Sequence, residues 1–434
     1  MVRRVLRGFL LRALGAISNF VFFIVVGRLL GAAETGLYMI AFGFVAVASS
    51  VCRLGLEQIV VREASPLIKE NRECELNALY RYVILRVGFV GLSVSFATIA
   101  LVYLADTLGF IAVSDIKYSL YWAALSVPMI TIAYIHVPFL QAALKPEASV
   151  SILTLWIPIF SLGLLFLYCP TDNGDTSRIY FIACAFAALI SIGLWTKSSP
   201  KYAPESAKSD RPIKLLKSSS SMLIGNFFLM SLPWIGVYAT GYFSTVAEVG
   251  IFSMAMRVSI SIPGFILPPI EAIVGPKIAN LRSSENSSSI ETFSTAISTA
   301  LMVASILIFV ILFFFGRDLL SLFGNEFRSA YWSLLVLCFG QLIVIICGPT
   351  RSILVTYGFE RVIRDSMVVS ALICLFLALL LVPSYGGLGA AVATSVSIAG
   401  QKMYEVYASL RLLGIQTYPS RKGLSALLDI LGLH

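Results

Sequence analysis

Ionisable side chains interrupt the long apolar runs of this 434-residue chain, and they are its candidates for chemistry. Arg12, Arg53, Arg86, Arg257, Arg351 and Lys402 are basic; Glu57, Glu271 and Glu405 are acidic. A charge at bilayer depth is costly unless it faces protein or a watered cavity, so each is a functional candidate by default. The balance is basic and spread along the chain. Plainer roles stand beside the functional one. Arg12 and Arg86 can snorkel to the inner headgroups. Arg53 and Glu57 are four apart, Lys402 and Glu405 three apart, so each pair can close on its own helix. By span position Arg12, Arg53, Arg86 and Arg351 lie toward the inner side, Lys402 near the middle and Arg257 nearer the outer side. Arg257 precedes an apolar stretch with Pro263 and is expected to face a cavity.

Other chemistry finds little footing. The seven cysteines are scattered and show no metal-ligand spacing with histidine, so neither a metal site nor a disulfide framework is expected. His136, alone in an apolar run, reads as a packed polar residue. No phosphate-cradling nucleotide loop is present, so direct ATP coupling is not expected, nor any cofactor. The formal charge of +9 is that of basic inner loops, not of a nucleic-acid surface.

The elements that must position these charges are membrane helices. The chain is 58% hydrophobic and only 13% charged, with mean hydropathy +0.89; a soluble domain carries about a quarter charged residues. The apolar runs do not alternate with polar residues as barrel strands do, so the spans are helices that satisfy their own backbone. The fold class is therefore an all-α polytopic membrane protein. With about 20 apolar residues per span, about twelve are expected. They run roughly 9–30, 36–61, 82–105, 118–142, 148–169 and 179–196, then 218–242, 248–274, 292–316, 329–356, 364–383 and 387–410. The start, MVRRVLRGFLLR, leads into a full-length span and reads as an uncleaved first helix. The N-terminus, alternate loops and C-terminus hold roughly twenty Lys and Arg against roughly five opposite, which places both termini in the cytoplasm.

The chain repeats itself. Glu34, Gly36 and Glu57 match Glu248, Gly250 and Glu271, each pair 214 apart. Ser119-Leu120-Tyr121-Trp122 returns as Ser329-Ala330-Tyr331-Trp332, and Glu147 as Glu360. Six spans lie between the copies, so matched helices run the same way, which implies two six-helix lobes related by an axis along the membrane normal. The lobes are 1–196 and 218–410, joined by a basic Pro- and Ser-rich linker, 197–217, and followed by a tail, 411–434. The tail's Leu424, Leu427, Leu428 and Leu431 share one helical face, suited either to the membrane interface or to the inner ends of the bundle. Both Tyr-Trp pairs fit an aromatic belt. Pro233, Pro263, Pro268 and Pro269 are expected to bend spans seven and eight, and Gly15 and Asn19 to loosen span one. Glu57 and Glu271, at equivalent depths, are expected to join cross-lobe ion pairs when the cytoplasmic mouth is shut, or to anchor helix ends within their own lobes.

The stretch GRLLGAAETGLYMIAFGFVAVASSVCRLGLEQIVVREAS resembles the opening of polysaccharide-exporting (Wzx-type) flippases of the MATE-like (MOP) transporter superfamily. EVGIFSMAMRVS and LFGNEFRSAYWSLLVLCFGQLI are similar to that family's eighth- and tenth-span entries. The resemblance covers most of residues 9–410. It implies an inverted-V pair of lobes around a central cavity, and translocation of a lipid-linked (polyprenyl-diphosphate) oligosaccharide from the cytoplasmic to the outer leaflet. That activity serves polysaccharide or O-antigen biosynthesis in a bacterial cytoplasmic (inner) membrane. On this reading Arg53 and Arg257 receive the diphosphate. Arg12, Arg86, Arg351 and Lys402 join them from charge and position, and Glu57, Glu271 and Glu405 gate or couple ions. The expected partners are the lipid-linked oligosaccharide, membrane lipids, H+ or Na+, and the polysaccharide polymerase machinery. Two other readings stand beside it: a cation-coupled multidrug antiporter of the same architecture, and a membrane-bound polymerase or ligase of lipid-linked sugars. The few acidic residues argue against the former and the short outer loops against the latter.

Overall fold

The structure is a computed structural model, and it describes residues 2–108, 114–168, 175–199, 212–283, 287–420 and 422–425. The chain divides into two compact units, Met1–Met230 and Ser231–His434, the division falling inside one helix. Unit 1 holds α1 (Val2–Cys52), α2 (Leu56–Lys69), α3 (Glu73–Thr107), α4 (Ser114–Ala142), α5 (Pro146–Thr154), α6 (Trp156–Tyr168) and α7 (Asp175–Ser198). The helix α8 (Pro212–Phe243) follows. Unit 2 continues with α9 (Val246–Ser283), α10 (Ser287–Ser321), a 3-10 turn (Asn325–Ala330), α11 (Tyr331–Ile346), α12 (Gly348–Thr356) and α13 (Glu360–Leu413).

Among the described residues eight helices are long and apolar enough to cross a bilayer, or nine when α5 and α6, bent by 41°, are taken as one broken span. Two of these helices carry two spans each. Gly31 breaks α1 at φ 74° and Gly386 breaks α13 at φ 51°, left-handed conformations that glycine adopts without steric cost. With α8 added, the elements follow the twelve expected spans in order.

Three expected spans are not continuous. The second breaks at Arg53-Leu54-Gly55, where Leu54 (φ 55°) and Gly55 (φ 67°) are both left-handed. The fifth breaks at Leu155 and the tenth at Cys347. Pro233 lies inside α8 and Pro263, Pro268 and Pro269 inside α9, and each helix continues past them.

The helices are inside-out relative to those of a soluble protein. On α3, Leu85, Phe89, Leu92 and Phe96 are exposed at helical spacing, while Val83, Val87, Gly91 and Ser95 face inward. Small residues allow close approach: a Cβ on Gly91 would lie 3.3 Å from the Cα of Pro128 on α4. Within unit 1, α4 packs against α7, α3 and α1; within unit 2, α11 packs against α13, α10 and α9. Buried hydroxyls mostly return to their own helix, as Thr131 does to Val127 O at 2.6 Å and Ser259 to Met256 O at 2.9 Å. A hydroxyl satisfied this way is not left bare in hydrocarbon.

The described part of the tail is drawn into unit 2. Ile415 joins Val274, Ile278, Ile290 and Ile353 in a buried cluster. Thr417 is fully buried; its Oγ1 accepts from Thr350 Oγ1 at 2.9 Å and its carbonyl from Ser298 Oγ at 2.8 Å. Packing on the bundle is thus the state of residues 414–420. Leu427, Leu428 and Leu431 lie outside the described residues.

Candidate functional site

The break in the second span builds the first charged site. The turn Arg53-Leu54-Gly55 ends α1, and α2 restarts at Leu56, whose N–H donates to Arg53 O at 3.0 Å. Arg53 is thereby held in the interior, 8% exposed. Its Nε lies 2.5 Å from Glu57 Oε1, and its guanidinium sits 5.3 Å from the ring centre of Tyr134 on α4. The carboxylate offsets the charge, and the ring meets the cation with its negative face. Its Nη1 is buried with no hydrogen-bond partner among the described residues. A guanidinium donor left that way is an expensive arrangement that an anionic ligand would relieve.

In unit 2, Arg257 projects from α9 and its guanidinium lies 5.3 Å over the ring of Trp234 on α8. The residue is half-buried. Both arginines that the resemblance singles out are thus held by an aromatic ring from a neighbouring helix, one in each unit. Neither ring was legible as a partner, because Tyr134 and Trp234 come from other helices and share no spacing with the arginines.

A third site lies between the two halves of α13. Glu405 is fully buried, yet it is completely partnered. Lys402 Nζ is 2.6 Å from its Oε2; Gln401 Nε2 donates to Oε1 at 2.9 Å and Ser366 Oγ to the same oxygen at 3.2 Å. The helical spacing predicted the Lys402–Glu405 pair. Ser366, 39 residues away, enters only because α13 folds back on itself at Gly386.

The remaining candidates stand apart from these sites. Arg86 is exposed on α3, its guanidinium 5.6 Å over Tyr82, as a snorkelling side chain would be. Arg351 is half-buried on α12 and Glu271 is exposed on α9; among the described residues neither makes an ion pair. Arg12 lies on α1, but its side chain is outside the described residues. Glu57 is engaged by Arg53 of its own unit. Glu248 has a role the sequence hid: its Oε1 accepts from Gly387 N–H at 2.8 Å and caps the helix that restarts after Gly386. His136 is a packed polar residue. Its Nδ1 lies 2.7 Å from Ile132 O and its Nε2 2.9 Å from Tyr80 Oη. Among the described residues no group of three or more His, Cys, Asp or Glu is arranged to hold a metal ion.

Comparison with known proteins decides the family. Residues 3–282 match the model of the family described as "Polysaccharide biosynthesis protein". The chain belongs to that family. It is 27% identical over 240 residues to the probable low-salt glycan biosynthesis flippase Agl15 of Haloferax volcanii. That alignment covers 54% of this chain and 49% of the relative, so the chain spans about half the length of the curated relative it matches. Among solved structures it is similar to the lipid II flippase MurJ in an inward closed conformation. The TM-score is 0.74 at 17% identity, over 100% of this chain and 91% of that one. It is equally similar to an inward-facing multidrug resistance MATE family transporter of the MOP superfamily. There the TM-score is also 0.74, at 12% identity over 92% and 95% of the two chains. This member of the polysaccharide biosynthesis family therefore has the all-α, multi-pass fold of MOP-superfamily transporters. The relatives named are flippases and a transporter, not enzymes of sugar polymerisation.

Proposed function

We propose that the protein is a flippase that carries a lipid-linked (polyprenyl-diphosphate) oligosaccharide from the cytoplasmic to the outer leaflet by alternating access. The observation that carries this reading is the pair of ring-held arginines, Arg53 and Arg257, one in each unit of a chain that belongs to a polysaccharide biosynthesis family. A guanidinium held over a ring keeps its planar fork of N–H donors, which can meet a diphosphate bidentately. The lipid tail stays in hydrocarbon while the charged headgroup and sugar need a polar route. In this scheme Arg12, Arg86, Arg351 and Lys402 lend further positive charge along that route. Glu57, Glu271 and Glu405 serve as gate or ion-coupling carboxylates. The drive is an H+ or Na+ gradient, or consumption of the product outside by a polysaccharide polymerase. Six-helix lobes at 1–196 and 218–410, a cytoplasmic linker at 197–217, and cytoplasmic termini in a bacterial inner membrane complete the proposal. Reporter fusions at Asp172 and Ser206 test the topology, with the first outside and the second inside.

The multidrug-antiporter reading rests on likeness of fold alone, whereas the glycan reading rests on sequence as well. Export measured in cells separates them. Arg257→Ala is expected to abolish glycan export at normal protein level. Arg257→Lys should restore it in part, because a point charge replaces a fork. Normal export by Arg257→Ala, or transport of cationic dyes independent of glycan synthesis, would overturn the proposal.

A further inference from the structure

Unit 2 contains an apolar groove of about 450 Å³ between α10, α11 and the last stretch of α13. Phe309 and Phe313, Trp332 and Phe339, and Val392 and Val396 form its walls. The one hydroxyl in the lining, that of Ser395, is committed to Val336 O at 2.7 Å. The lining on α13, from Val392 to Ala399, extends about 10 Å along the helix axis. A single hydrocarbon chain fits such a trough, and a sugar does not.

One end of the groove carries a cation. Arg317 follows Phe313 by one helical turn on α10, and its guanidinium lies 4.8 Å over the ring of Tyr331. Tyr331 donates to Phe313 O at 2.7 Å and meets Trp332 edge to face at 5.3 Å. The cation and the groove mouth therefore share one framework. Arg317 is exposed and makes no ion pair with Asp318 or Glu326 among the described residues.

The groove is not forced by the fold, because unit 1 fills the corresponding place. Trp122, the repeat counterpart of Trp332, has Phe181 packed on it at 5.5 Å and Arg178 over it at 5.7 Å. Trp332 is 59% exposed.

We infer that this groove is an outer-leaflet seat for the isoprenoid tail of the translocated lipid, with its diphosphate at Arg317. This inference rests on the flippase reading. It extends that reading from the arginines that meet the headgroup to a place where the tail docks after crossing. Bulk phospholipid has a charged head and two tails; a groove for one chain with an unpaired guanidinium at its mouth selects the single-chain diphosphate.

The test uses the full-length protein in nanodiscs with a diazirine-bearing polyprenyl diphosphate, and in a parallel arm a diazirine-bearing phosphatidylglycerol. Photolabelling by the polyprenyl probe is expected at peptides containing Phe339 and Val396. Unlabelled polyprenyl diphosphate should compete it away. Val396→Phe, and independently Val392→Phe, should lower it about tenfold, as should Arg317→Gln. Labelling by a polyprenol probe lacking the diphosphate should be unchanged in Arg317→Gln. Labelling by phosphatidylglycerol that polyprenyl diphosphate does not displace, or polyprenyl labelling that survives both Phe variants in folded protein, would overturn the inference. If translocation by the wild-type protein persists without groove labelling, the groove assignment fails and the flippase reading stands. If labelling occurs in a protein that translocates nothing, the flippase reading fails.

Discussion

The two copies of the second span in each repeat solve the same problem differently. In unit 1 the helix stops at Arg53-Leu54-Gly55 and restarts; in unit 2 the equivalent residues, Leu267-Pro268-Pro269, lie inside the continuous helix α9. Glu57 and Glu271 occupy matching positions, yet Glu57 is paired with Arg53 and Glu271 is exposed with no ion pair among the described residues. The reason is one substitution in the repeat. Where unit 1 has Arg53 a turn before the glutamate, unit 2 has Leu267. Residues at positive φ interrupt the helix in unit 1, and Pro268-Pro269 in unit 2 leave it continuous. A buried charge appears where the open turn can hold it.

The largest effect expected from this contrast is at Glu57. Glu57→Gln leaves the buried Arg53 without its counter-charge; because the Glu57 side chain is itself 34% exposed, the cost falls below that of a fully buried pair, at about 1–3 kcal/mol. A large drop in thermal stability of the detergent-solubilised protein is expected, while Glu271→Gln should fall within about 0.5 kcal/mol of the parent. Equal effects at the two glutamates would erase the distinction between the units.

The next effect is at the break itself. Gly55→Ala forces a Cβ into a left-handed residue and should cost about 1–2 kcal/mol. Leu54→Gly should relieve a cost of similar size, less the entropy glycine loses on folding. Pro268→Ala, in the unbroken copy, should leave stability equal to or above the parent's, because it restores a helix donor. A loss at Pro268→Ala as large as that at Gly55→Ala would show that the prolines shape α9.

How much of this was legible in the sequence follows from the same residues. The break at Gly31 was visible, because it falls between the expected spans 9–30 and 36–61, and glycine accepts the φ of 74° found there. The Lys402–Glu405 pair followed from helical spacing. The break at Leu54-Gly55 was hidden, since a leucine at φ 55° leaves no mark in a continuous apolar run. The cap from Glu248 to Gly387 spans 139 residues and depends on tertiary packing. The repeat had revealed Glu248 as half of a matched pair, but not what it does. Glu248→Ala tests that role: the Gly387 N–H loses its acceptor, with an expected cost of about 1–3 kcal/mol.

A smaller effect is expected at the tail. Thr417→Val keeps the shape of the buried residue while removing the Oγ1 acceptor of Thr350. A loss of about 1 kcal/mol is expected, read as a lower melting temperature with transport retained. No change in melting temperature would mean that the 414–420 segment adds nothing to unit 2.

The central claim, that an arginine in each unit receives the diphosphate of a lipid-linked glycan, is tested most directly by reconstitution. Purified protein in liposomes is given a fluorescent polyprenyl-diphosphate oligosaccharide, and its appearance in the opposite leaflet is followed by quenching from one side. The account predicts translocation that is lost in Arg53→Ala and in Arg257→Ala and partly recovered in Arg257→Lys. Translocation undiminished in both alanine variants, with each protein folded, would contradict it.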